Sequence, residues 1–299
     1  MPHGRAIPFT KVHGLGNDFI LIDALADPSL ADLGYASLAP HWCDRHRGVG
    51  ADGVLVLCAA TVPGAAVRMR IINCDASEAE MCGNGVRCVA RYVSERHPDI
   101  ARGSAGAFLV QVGRPGAFRT LDIRIKADAT GTFTSAEVDM GPPRLTPEEV
   151  PVIAKVGPVL DLLLELPGHP ACSAACVSMG NPHAMIFVDS VGGVDLHVLG
   201  PIIEHHHAFP QRTNVQFVEV ASRTHARVRT WERGAGPTLA CGTGACAVLV
   251  AGVLTDRLDR SATISLPGGD LQVRWDRESD HVFMTGPAEI VFSGSLRTS

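Results

Sequence analysis

The chain has 299 residues, with 26 basic against 31 acidic side chains for a formal net charge of −5, and 46% hydrophobic against 19% charged residues. That length accommodates two domains of about 150 residues each, with an ordinary globular balance of apolar and charged side chains. The absence of a basic run argues against a nucleic-acid partner, the absence of an apolar stretch of about 18 residues argues against a membrane span, and residues 1–10 lack an apolar signal core, so the sequence predicts a cytoplasmic protein.

In chain order, short β segments broken by Gly, Pro and Asp are predicted over 7–12, 19–23, 54–57, 68–73, 108–112, 121–126 and 136–140. A second series follows over 174–179, 184–188, 215–220, 226–231, 262–266, 271–275 and 282–285. Helical patterns are fewer: 38–43 running on toward Arg45, 86–93, 195–204 and 245–254. The run Ala245-Cys246-Ala247-Val248-Leu249-Val250-Ala251 is apolar on every side, as befits a helix inside a protein rather than on its surface. The simplest architecture is α/β (α+β), with strands wrapped around a central buried helix, twice over.

Two of these helices open on near-copies of one motif, Cys82-Gly83-Asn84-Gly85 and Cys241-Gly242-Thr243-Gly244, 159 residues apart. A thiol at a glycine-rich helix entrance faces unpaired backbone N–H groups and the positive end of the helix dipole, which favour the thiolate. A second landmark repeats at nearly the same spacing. The segment Gly16-Asn17-Asp18-Phe19-Ile20-Leu21-Ile22-Asp23 resembles Gly180-Asn181-Pro182-His183-Ala184-Met185-Ile186, with Asn17 and Asn181 164 residues apart. A shared offset points to an internal duplication. Two lobes facing one another would set the two cysteine helices nose to nose across a cleft.

Around the first motif, Asp75 and Ser77 are suited to order the turn, and Gly83 and Gly85 to let backbone amides approach a carboxylate. Around the second, Glu232-Arg233 offers an anionic and a cationic handle, the guanidinium suited to a carboxylate and the glutamate to an ammonium group. Asn17, Asn73, Asn181 and Asn214 add uncharged donors and acceptors, and His183 is a further polar candidate. Each feature alone is also compatible with a structural cysteine, a surface ion pair, a turn asparagine or a packed histidine. The remaining seven cysteines have no glycine-rich helix entrance and read as core or surface thiols. No metal site is expected: the cysteine spacings are irregular, and His205-His206-His207 reads as a solvated loop because three consecutive residues cannot point one way. The three lysines, Lys11, Lys126 and Lys155, lie outside these motifs, which weighs against a Schiff-base cofactor, and no dinucleotide or P-loop fingerprint occurs.

In these motifs the chain resembles the diaminopimelate epimerase family of pyridoxal-independent amino-acid epimerases. The matching segments are His13 through Phe19, Gly48 through Gly53, Asn73 through Arg87, Gly180-Asn181-Pro182-His183, Thr213-Asn214 and Glu232 through Cys246, in the family's order. The resemblance implies two pseudo-symmetric lobes, each a barrel-like, mostly antiparallel sheet around a central helix. These span residues 1–139 with a tail at 287–299 returning to the first lobe, and residues 140–286. It implies that Cys82 and Cys241 are the catalytic pair. Asn17, Asn73, Asn181, Asn214, Glu232 and Arg233 are then substrate contacts, and Gly83-Asn84 and Gly242-Thr243 hold the α-carboxylate. The activity implied is interconversion of LL- and meso-2,6-diaminopimelate in lysine and peptidoglycan-precursor biosynthesis, by a homodimer without cofactor acting on a small-molecule substrate. The chain departs from the family pattern at Ala76, where a glycine is common, at Gly53, where some members carry a substrate-touching glutamine, and at Pro237, where glutamate is frequent. The competing readings are a related racemase of another amino acid such as histidine or proline, and, in a different class, a redox-sensing or metal-binding thiol protein.

Overall fold

The computed structural model describes residues 5–79, 81–101 and 106–297. Glu80 of the first cysteine cluster, residues 1–4 and 102–105 of the expected first lobe, and residues 298–299 of the expected returning tail lie outside the described residues. The chain divides into two compact units, Met1–Val138 with Gly286–Ser299, and Asp139–Thr285.

The first unit runs β1 (Ala6–Gly14), β2 (Asn17–Asp23), α1 (Tyr35–Trp42), β3 (Gly53–Ala59), β4 (Val67–Asn73), β5 (Glu78–Ala79), α2 (Gly83–Arg96), α3 (Pro98–Ala101), β6 (Ala107–Val112), β7 (Arg119–Ala127) and β8 (Phe133–Asp139). The second runs β9 (Leu162–Leu164), β10 (Cys172–Ser178), β11 (Pro182–Phe187), α4 (Leu196–Glu204), β12 (Asn214–Ser222), β13 (His225–Glu232), β14 (Gly236–Thr238), α5 (Gly242–Leu254), β15 (Ser261–Leu266), β16 (Gly269–Trp275) and β17 (Val282–Gly286). A last strand, β18 (Glu289–Arg297), returns to pair antiparallel with β1.

Strand pairing repeats between the units. In the first, β1–β2 is antiparallel, β2–β3 parallel, β3–β4 and β4–β5 antiparallel, β4–β6 parallel, and β6–β7 and β7–β8 antiparallel. In the second, β10–β11 is antiparallel, β11–β12 parallel, β12–β13 and β13–β14 antiparallel, β13–β15 parallel, and β15–β16 and β16–β17 antiparallel. Even the flanking strand has its counterpart, since β9 pairs with β10 as β18 pairs with β1. Parallel neighbours need a crossover. Each unit therefore spends one helix on its first parallel pair, α1 or α4, and one on its second, α2 or α5. This order of pairing is the internal duplication written in hydrogen bonds.

Helices on both faces explain why β3 up to Cys58 and the first half of β12 are buried at every position while β16 alternates. One face of the first sheet packs Ile7, Ile20, Val54 and Val56 with Tyr35 and Trp42 of α1. One face of the second packs Ala184, Ile186, Val215 and Phe217 with Leu196 and Ile203 of α4. The opposite faces receive α2 and α5. Helix α5 is buried from Ala245 to Gly252 without interruption, and each fully buried valine or leucine contributes about 1.5–3 kcal/mol. Among the described residues, no helix is long and apolar enough to cross a membrane.

The expected strands are present with ends moved by three residues or fewer. Helix α1 begins earlier than expected because Gly34, at φ +68°, turns the chain just before Tyr35, whose ring joins Ala39 and Trp42 in one buried stripe. The short arms β5 and β14, together with β9, β18 and α3, carry no periodicity long enough to be read from sequence.

Ala76 stands at φ +72° in the turn between β4 and β5, where the Asp75 carboxylate accepts from the Ser77 backbone N–H and hydroxyl. A left-handed conformation costs a residue with a Cβ about 1–2 kcal/mol, partly offset by the lower entropy of its unfolded chain. Ala76→Gly is expected to stabilise the protein by about 0.5–1 kcal/mol, read from urea unfolding. An unchanged or lower stability would contradict a strained turn here.

Candidate active site

Cys82 is the cap residue of α2, with extended backbone dihedrals (φ −143°, ψ 114°), and its Sγ accepts from the backbone N–H of Gly85 at 3.5 Å. The thiol in turn donates to Asn17 Oδ1 at 3.6 Å. That oxygen also accepts from Asn84 Nδ2 at 3.0 Å, while Asn84 Oδ1 accepts from the guanidinium of Arg87 at 2.9 Å. At the other end of the chain of bonds, Asn17 Nδ2 donates to the Asp52 carboxylate at 2.7 Å. Arginine only donates and a carboxylate only accepts, so the two ends dictate how both amides are turned. Arg87 itself has no exposed surface and also donates to the carbonyls of Gly83 and Pro287. Arg45 bridges Asp52 and Asp18, and Lys11 pairs with Asp18; burial opposes that charge, but the two cations outweigh it and hold Asp18 below the usual carboxylate range. Asn73 closes the β4–β5 turn by donating from Nδ2 to Ser77 Oγ at 2.9 Å.

In the second unit Cys241 holds the cap position of α5 with the same extended backbone (φ −124°, ψ 104°) but without a side-chain cap hydrogen bond; it is buried, with Sγ 3.6 Å from the hydroxyl of Thr243. Glu232 accepts from the Thr238 hydroxyl at 2.7 Å across the β13–β14 arm. Asn214 is a hub: its Nδ2 donates to the Pro182 carbonyl at 2.7 Å, and its Oδ1 accepts from the backbone N–H of Arg233 at 2.9 Å. The Arg233 guanidinium donates to the Gln211 carbonyl. Asn181 Oδ1 lies 3.0 Å from His183 Nε2. His183 has no exposed surface, and burial pushes its ring down to about 3, so it is neutral at physiological pH. Both helix entrances thus carry a cysteine cap, a glycine-lined first turn and flanking amide side chains.

The sequence profile described as "Diaminopimelate epimerase" matches residues 9–146 and 175–291. The chain belongs to the diaminopimelate epimerase family. It is 47% identical to "Diaminopimelate epimerase 1" of a Nostoc species, over 97% of this chain and all of the relative. It is 48% identical to the "Diaminopimelate epimerase" of Synechococcus elongatus, over 97% of this chain and 98% of the relative. Among solved structures, a hydroxyproline epimerase from Agrobacterium vitis shares the fold at a TM-score of 0.71, covering 99% of this chain and 92% of its own, at 16% identity.

Burial pushes Cys43 and Cys176 up to about 12 and also raises Cys58, Cys88 and Cys172, which keeps those thiols protonated. Cys74 is exposed. His205-His206-His207 is not wholly solvated as expected: His206 is buried, with Nδ1 accepting from Ala208 N at 3.2 Å, because its ring packs against Phe209. Among the described residues no three His, Cys, Asp or Glu side chains come together as a metal site. Gly53 sits where a Cβ would come within 2.8 Å of the Ile72 carbonyl oxygen, so any side chain there requires the sheet to shift. Pro237 lies exposed in β14, opposite Trp231.

Beside these positions stands a residue that sequence reasoning did not single out. Glu204 ends α4 and is buried, accepting from Trp231 Nε1 at 2.7 Å, from the backbone N–H of Gly234 at 2.9 Å and from Arg212. It ties the helix to the turn that carries Arg233. Its only signal was an acidic residue closing an otherwise apolar helix.

His183 gives the site a pH dependence. A histidine whose folded value lies below its unfolded value of about 6.5 binds its proton more readily when unfolded. Stability is therefore lost as pH falls below about 6.5, by about 1.4 kcal/mol per unit, until the folded value is reached. Unfolding free energies of wild type and His183→Phe, measured over this acidic range, are expected to diverge with that slope. Parallel curves would show that the ring is not buried in neutral form.

Proposed function

We propose that this chain interconverts LL- and meso-2,6-diaminopimelate by cofactor-independent 1,1-proton transfer, with Cys82 and Cys241 as the two acid/base groups. The observation that carries the reading is that each half of a duplicated fold puts a cysteine at the same place, as cap of the helix in its second parallel crossover. The named relatives support the choice of substrate.

Inverting a stereocentre requires a base on one face of the carbon and an acid on the other. One sulfur, as thiolate, takes the α-proton; its S–H bond forms as the C–H bond breaks, leaving the electron pair on carbon and the adjoining carboxylate. The other sulfur gives its proton to the opposite face and becomes the thiolate, so the same pair runs the reaction in reverse. The difficulty is the charge that develops on the carboxylate. Backbone N–H groups at Gly83-Asn84 and Gly242-Thr243, in the first turns of α2 and α5, are the groups that stabilise it. Asn17, Asn73, Asn181, Asn214, Glu232 and Arg233 orient the substrate, the last two suiting an ammonium and a carboxylate. His183 and Gly53 border these contacts. In this reading residues 1–139 with the tail 287–299, and residues 140–286, are the two catalytic lobes of a cytoplasmic homodimer. Its partner is a small amino acid, and neither nucleic acid nor membrane is involved.

Cys82→Ala and Cys241→Ala are each expected to lower kcat for epimerisation of LL-diaminopimelate by at least about 10²–10⁴-fold while the protein stays folded. Full activity in either variant would sink the two-thiol reading.

A further inference from the structure

The duplication supplies an internal control for the two thiols. In both helices the third residue is a glycine lying against the sheet, Gly85 in α2 and Gly244 in α5. A Cβ on Gly85 would meet Leu55 Cδ2 at 3.1 Å. A Cβ on Gly244 would meet Gln216 Nε2 at 2.9 Å and the Cys241 sulfur at 3.1 Å. Leu55 and Gln216 hold equivalent positions, each two residues into the strand from Gly53 or Asn214, which pair with Phe19 and His183 respectively. The difference extends across the sheet. Gln216 is paired with Thr230 on β13, whose counterpart on β4, paired with Leu55, is Ile71. Beneath Cys82 the floor is apolar; beneath Cys241 it is polar.

That polar floor is incompletely satisfied. Gln216 has no exposed surface, yet neither its amide nitrogen nor its oxygen has a hydrogen-bond partner, and Thr230 Oγ1 and His183 Nδ1 share that condition. Gln216 lies close enough to the His183 ring to favour its protonated form, short of hydrogen-bond alignment. A buried amide left so costs stability, and where one persists it calls for a role. Resting on the two-thiol reading, we propose that Gln216 is a positioning residue whose amide solvates the Cys241 sulfur, so that Cys241 rather than Cys82 carries the negative charge in the substrate-free enzyme.

An independent observation on the other sulfur agrees. Cys82 faces Asn17 Oδ1, an acceptor whose orientation Asp52 and the Asn84–Arg87 pair dictate; that acceptor retains the thiol proton against the long 3.5 Å donation from Gly85 N–H. The charged groups nearby are engaged. Against α2, Lys11 of β1 pairs with Asp18 and His13 with Glu289 of β18, while Arg70 of β4 pairs with Glu78. Asp99 of α3 and the charged residues of β7 lie toward solvent. Against α5, His183 is buried and neutral, Cys176 of β10 belongs to the core shared with α4, and Asp270 and Arg274 of β16 are exposed. Glu232 and Arg233 hold Thr238 and Gln211.

The test is iodoacetamide alkylation of the full chain over a pH series, with labelling at Cys82 and Cys241 resolved by peptide mass spectrometry. The midpoint is read rather than the rate, because Cys82 is the more exposed of the two. In wild type the Cys241 midpoint is expected at lower pH than that of Cys82. Gln216→Leu, which copies Leu55, is expected to raise the Cys241 midpoint by about one unit and leave Cys82 unmoved. Gln216→Met serves if the leucine variant does not fold. A lower midpoint at Cys82 in wild type, an unmoved Cys241 in the variant, or equal shifts at both sulfurs would each overturn the proposal. None of these outcomes restores activity to Cys82→Ala or Cys241→Ala, so failure here is distinguishable from failure of the two-thiol reading.

Discussion

The first turn of an α-helix leaves backbone N–H groups that the helix itself cannot satisfy. In this protein two such turns, at the heads of α2 and α5, have cysteine at the cap position in place of the usual hydroxyl or carboxylate side chain, and at α2 the sulfur accepts from Gly85 N–H. Sulfur is a weak acceptor, so a cysteine at the cap contributes little to helix stability. The surroundings follow from that choice. Glycines at Gly83, Gly85, Gly242 and Gly244 bring the backbone close, and burial of α5 on every side makes up for a weak cap with packing. Amide side chains such as Asn17 and Asn214 are held by partners that fix which end they present.

The fold presents this motif twice because its pairing order requires a crossover helix at the same place in each unit. A parallel neighbour cannot be reached by a tight turn, so β4–β6 and β13–β15 each demand a long connection, and in both units the short arm ends three residues before the cysteine. Duplication then allows divergence. Where the first copy has Phe19, Leu55 and Ile71, the second has His183, Gln216 and Thr230, so the sheet is apolar under one cysteine helix and polar under the other. In the reaction proposed above, two groups acting in opposite senses on one carbon gain from being unlike.

What the sequence discloses is what is local. The C-G-x-G motifs, the Gly-Asn repeats and the apolar run of α5 are each contained in a dozen residues, and their chemistry can be read without knowing what lies across the sheet. Ala76 is also of this kind: a non-glycine at a tight turn was recognisable, and its positive φ explains why glycine is common there. Glu204 and Gln216 are different. The first reads as the polar end of an amphipathic helix and the second as an ordinary strand residue in Thr213-Asn214-Val215-Gln216-Phe217. Only long-range pairing, with Trp231 and Gly234 in one case and Gly244 and Thr230 in the other, gives them meaning. The return of β18 to β1 was accessible through family resemblance alone, since no local pattern specifies a partner nearly the whole chain away.

The central claim is that two different sulfurs handle the proton on opposite faces of one carbon. Turnover of LL-diaminopimelate in deuterium oxide, stopped early and analysed separately for each stereoisomer, addresses it most directly. A thiol that donates to the product face carries solvent deuterium, whereas the sulfur that removed the substrate proton still carries protium. The account therefore predicts deuterium at the α-carbon of the meso product and little in recovered LL substrate. Equal labelling of substrate and product would indicate a single base serving both faces and would contradict it.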